Sequence, residues 1–177
     1  QLANAVAIGL GAGQTTQGID SVAIGNGAGN DTQGEEAIAL GQNAGNANQG
    51  NNGVAIGLGA GQTTQSAHSV AIGTAAGNTS QGPTSVAVGP NAGNNSQGEA
   101  AIALGENAGN ANQGNNGVAI GQAAGQTTQS TNSVAIGFQA GNSVQGADSV
   151  AVGIGAGQTT QSTNSVAIGT TAGQTTQ

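Results

Sequence analysis

Few side chains in this sequence could do acid–base or ligand chemistry. There is one histidine, His68, with seven acids, and no lysine, arginine or cysteine. A nucleophilic mechanism near neutral pH would need His68 as its base. His68 stands just before an S-V-A-I-G run, where Asn4, Asp20, Glu36, Asn52 and Thr84 stand before equivalent runs. That is a turn position, where short polar side chains bond to local backbone. It reads as a turn histidine, and no catalytic residue is assigned. Asp20 and Glu36 share its spacing, with Asp31 and Glu35 close by. Paired carboxylates could hold calcium, but asparagine fills the same place elsewhere and the Asp-rich turns of calcium-binding repeats are missing. The acids read as solubilising groups, and no metal is assigned. GLGAGQ at Gly9 and at Gly57 imitates a phosphate-binding loop, yet no βαβ unit surrounds it and no lysine accompanies it. The glycines read as corners, and no cofactor is implied. Asn30-Asp31-Thr32, Asn78-Thr79-Ser80 and Asn94-Asn95-Ser96 match the N-glycosylation sequon. In so asparagine-rich a chain, chance accounts for them.

The composition narrows the partners. With no basic side chain, phosphate backbones cannot be neutralised, which excludes nucleic acid. Attraction to an anionic membrane surface fails for the same reason. No apolar run approaches the ~20 residues that span a bilayer, so membrane insertion is not expected. The absence of cysteine decides nothing about compartment. A chain of 177 residues with 35 glycines, one phenylalanine and a net charge of −7 could be called disordered on composition alone. Its periodicity says otherwise.

Written in rows of sixteen, the chain aligns without insertion or deletion. Val6, Val22, Ile38 and their successors to Val166 form one column. Ile8, Ile24, Leu40 and their successors to Ile168 form another, with alanine between them in every row. The glycine of Gly9, the Ala12-Gly13 pair and the glutamine of Gln17 recur throughout, and the place of Gln14 is always Asn or Gln. A longer echo lies on top: EEAIALGQNAGNANQGNNGVAIG from Glu35 returns as EAAIALGENAGNANQGNNGVAIG from Glu99. Composition does not shift along the chain, which predicts one repeat domain over residues 1–177.

A long uninterrupted period with β-branched runs bounded by glycine predicts a solenoid in which each row is one coil. Sixteen residues give a perimeter of roughly 50 Å, enough for two short strands and two turns. The expected fold is all-β: a parallel β-solenoid, or β-roll, of eleven coils with two strands each, S-V-A-I-G and A-G-Q-T-T-Q. The turn between them varies at Leu10, Asn26, Thr74, Pro90 and Phe138, as a solvent-facing loop does. Alternation along the first strand puts Val and Ile on one face and Ala on the other. By hydrophobicity the core should be Val22, Ile24, Val70, Ile72, Val134 and Ile136 and their columns, with Ala12 beside them. Ala23, Ala71 and Ala135 should then form a small, flat outer face able to meet another chain. Gln17, Gln33, Gln49, Gln65 and Gln81 should bond to one another up the stack as an amide ladder. The Gln14 column is a second ladder of the same kind.

SVAIG, spelled so at Ser21, Ser69, Ser133 and Ser165, resembles the head repeat of YadA-like trimeric autotransporter adhesins. Similar runs occur in phage and viral fibre proteins. The resemblance implies a left-handed coil, three chains side by side, and a non-enzymatic structural or adhesive role outside the cell, on its surface or on a virion. A host surface or matrix ligand would then be a partner. This row is longer than the family's usual one. Because the rows begin at once and stop mid-coil, an open stack is also expected to template end-to-end filaments. A second reading is an ice-binding solenoid, suggested by Thr15-Thr16, Thr63-Thr64, Thr127-Thr128, Thr159-Thr160 and Thr175-Thr176. Adjacent threonines should point to opposite faces, however, and Asp31, Ala47, Asn48 and Val144 interrupt their columns.

Overall fold

The computed structural model describes residues 2–176, and among them every regular element is a β-strand. Three-residue strands run from Val6–Ile8 and Val22–Ile24 through to Val166–Ile168. Each pairs in parallel with the equivalent strand of the next row: Val6 with Val22, Ala7 with Ala23, Ile8 with Ile24. All eleven form one continuous sheet in chain order. The chain is therefore a parallel β-solenoid with one row per rung.

The second strand is shorter than A-G-Q-T-T-Q suggests. It contracts to two residues, as in Thr16–Gln17 and Thr32–Gln33. Its sheet is also broken into pieces of two, three and three strands. Both breaks fall in the duplicated rows, where Asn48 (φ +59°) and Asn112 (φ +57°) turn left-handed in place of an extended Thr or Ser. Elsewhere Thr16 N–H donates to Asp31 O at 2.9 Å. At the breaks the N–H groups of Thr32, Asn48, Ser96 and Asn112 have no acceptor among the described residues.

The interior inverts the hydrophobic expectation. Ala23, Ala71 and Ala135 are wholly buried, as are Ala28, Ala76 and Ala140 of the second alanine column. Val22, Val70 and Val134 are only half-buried, and Ile24, Ile72 and Ile136 are exposed, at 37–38%. The reason is width. The two walls of the coil lie so close that a Cβ added at Gly13 would sit 2.6 Å from the Gln17 Oε1 and 3.4 Å from the Ala7 Cβ. A methyl group fits between them; a β-branched side chain does not, so alternation sends Val and Ile outward.

Glutamine fills what alanine leaves. Gln17, Gln33, Gln49, Gln65 and Gln81 are at most 2% exposed. Their amides cross the coil rather than climb it: Gln17 Nε2 donates to Val6 O at 2.7 Å, and Gln33 to Val22 O at 2.8 Å. Among the described residues, side-chain bonds up this column occur only from Gln49 to Gln65 and from Gln113 to Gln129, both at 3.1 Å. In those two places Gly53 and Gly117 stand where most rows carry serine, and the missing side chain lets the amides meet. The Oε1 atoms of eight of these glutamines, Gln17 and Gln33 among them, accept no hydrogen bond. The Gln14 column does climb: Asn30 Nδ2 donates to Gln14 Oε1 at 2.9 Å, and Asn78 to Gln62 at 3.0 Å.

Candidate interaction faces

The side chains singled out for chemistry are dispersed along turns. His68 has φ +58° and an exposed side chain, and its whole column is left-handed, from Asn4 to Asn164. Asp20 accepts from Asn4 Nδ2 at 2.9 Å and Glu36 from Asn52 Nδ2 at 2.8 Å, so each acid is bonded to an amide one rung away. No His, Cys, Asp or Glu group of three or more gathers among the described residues. Gly9 sits at φ +130°, and a Cβ there would come 2.6 Å from Gly25 O. The GLGAGQ glycines are corners that let one rung rest on the next.

The sequon asparagines are tied into the stack. Asn30 Nδ2 donates to Gly11 O, and Asn78 Nδ2 to Gly59 O, both at 2.8 Å; Asn94 donates to Ala75 O at the same distance. The amide nitrogen that a glycan would occupy is thus holding the preceding rung. The paired threonines also differ from expectation. Thr15 and Thr16 are both exposed, because the strand begins only at Thr16 and Thr15 lies in the bend before it.

Two faces remain. The first is the outer side of the continuous sheet, which carries the Val and Ile columns in strict register. Ile24, Ile72 and Ile136 stand out from it in the middle of the rod, and Ile8 and Ile168 at its two ends. The sequence contained this signal, since the alternation leaves only two choices of face; hydrophobicity alone picks the wrong one. The second face belongs to the interrupted sheet and bears hydroxyls and carboxamides. Leu10, Leu58, Phe138 and Ile154 project from the turn between the sheets, which is solvent-facing as predicted.

Residues 33–60, one row of sixteen and most of the next, match the family model of the YadA head domain repeat in two copies. That segment carries YadA-like head repeats. A search of curated proteins found no match. The matched segment includes Ile38–Leu40 and Val54–Ile56, two adjacent strands of the continuous sheet. The rungs outside the match repeat the same spacing and pair in the same register.

Proposed function

We propose that the chain is a non-enzymatic adhesin-like structural module that acts outside the cell and assembles with two further copies of itself through the Val/Ile face. The exposure of that face is the observation that supports this reading. Two aliphatic columns over eleven rungs make a flat apolar strip on the order of 500 Å², at the upper end of what a soluble monomer leaves open. Its symmetry suits a ring. Each chain offers one Val column and one Ile column, so the Val edge of one rod can meet the Ile edge of the next, and a head-to-tail contact of this kind closes at a small rotation number. Alanine inside each rod and larger aliphatic residues between rods would then divide the packing between chain and assembly. The head-repeat match favours the same arrangement.

Sedimentation velocity on the purified chain tests it. The expected species contains three chains, and Ile72→Asp with Ile136→Asp should return it to a monomer with an unchanged β-type circular dichroism spectrum, since these side chains are not part of the core. A monodisperse wild-type monomer at tens of micromolar would overturn the proposal; long filaments would replace the ring with end-to-end assembly.

A further inference from the structure

One stretch of the hydroxyl-bearing sheet departs from the regularity of the rod, and we infer that it is a binding groove for an uncharged, extended oligosaccharide. The groove encloses about 380 Å³ and runs across four rungs, from Thr64 and Ser66 to Asn112 and Gly114. Two columns of small residues border it. In the column where Thr16, Thr32, Thr64 and Thr128 stand, the groove rungs carry Ser80 and Ser96, which lack the methyl. In the next column but one, Gly82, Gly98 and Gly114 line it, packed against the backbone of the following rung, whereas Ser66 and Ser130 stand on the rungs at either end.

The break at Asn112 supplies a second, independent feature. There the Ser96 and Asn112 N–H groups, on two residues that line the groove, are left without a backbone acceptor. The left-handed turn at Asn112 leaves Ala111 O, the acceptor that an unbroken ladder would give Ser96, likewise unused. Two backbone donors, the hydroxyls of Thr64, Ser66, Ser80 and Ser96 and the Asn112 carboxamide are thus gathered at rung spacing along one channel. The matching break at Asn48 has the same free N–H groups, but Thr16 and Thr32 keep their methyls beside it.

The lining selects the ligand by what it contains. No charged side chain lines the groove, so phosphates, carboxylates and cations have no counter-charge there. No aromatic or large aliphatic side chain lines it either, so a lipid or an apolar helix finds no anchor. An extended peptide has no open edge to add to as a strand, because the next rung lies beyond each groove strand even at the break, where Gln97 still bridges to Gln113. A neutral, hydroxyl-rich chain can exchange hydrogen bonds with each rung in turn. The groove is on the interrupted sheet, so the inference does not depend on whether the Val/Ile face assembles.

The test is a titration of isotope-labelled protein with cellotetraose, followed by amide chemical shifts. Saturable shifts confined to the rungs between Thr64 and Gly114 are expected. The double variant Ser80→Thr with Ser96→Thr restores the residue found on neighbouring rungs, so it should fold, and it should weaken binding at least about tenfold. Ser96→Val, which copies Val144 in the same column, should do the same. Absence of saturable shifts in the groove, shifts that survive both variants, or equal binding of tetragalacturonate would each overturn the inference.

Discussion

The two sheets of the coil are built from the same chain at the same pitch, yet one runs unbroken through eleven rungs and the other is in three pieces. The continuous sheet has a buried alanine at the centre of every strand from Val22–Ile24 onward, and equivalent residues pair rung to rung, so each rung specifies its register. The interrupted sheet has one buried residue per strand, the glutamine, and its two breaks leave that residue in place: Gln49 still bridges Gln33 and Gln65. Register there is carried by a single crossing amide rather than by a ladder. A strand can therefore lose half its pairing in this sheet without shifting the rungs beyond it. That tolerance is what leaves the second sheet free to vary.

Three substitutions would break or sharpen this contrast. The largest effect is expected in the continuous sheet. Ala87→Leu, at a wholly buried mid-rod site, must force the walls apart and should cost on the order of 3 kcal/mol or more, seen as a large fall in the denaturation midpoint. If Ala87→Leu were neutral while Val86→Ala was costly, the assignment of inside and outside would be reversed. Next comes Gln81→Ala, which removes the 2.7 Å bond to Val70 O and opens a cavity; it should cost about 2–3 kcal/mol. The loss should loosen amide exchange in the interrupted sheet more than in the continuous one. The smallest effect, and opposite in sign, is expected from Asn48→Thr. It restores the residue of other rungs and lets Thr32 N–H find a partner, stabilising by about 1 kcal/mol. Slower hydrogen exchange at the Thr32 amide would report the mended ladder.

Much of this was legible in the residues. The sixteen-residue spacing, the glycine corners and the extended V-A-I runs specify rungs and which residues stack, and the observed register follows that column by column. The turn role of His68 was readable from its column, because every other residue there also precedes a strand. The Gln17 column was recognisable as structural, but its direction was not. Whether a glutamine bonds to the next glutamine or across to Val6 O depends on how far away the opposite wall stands. The break at Asn48 was visible as a lapse in the Thr pattern, while its left-handed backbone was not, since asparagine is at home in strand ends and turns alike.

By itself the sequence determined the period, the parallel register and the separation of alternate side chains onto two faces, because these follow from chain connectivity and the geometry of a strand. Only the tertiary structure decided which face is the interior. That choice rests on the distance between two walls, and at this perimeter the gap admits a methyl group and a flat amide but excludes valine and isoleucine, whatever their hydrophobicity would prefer.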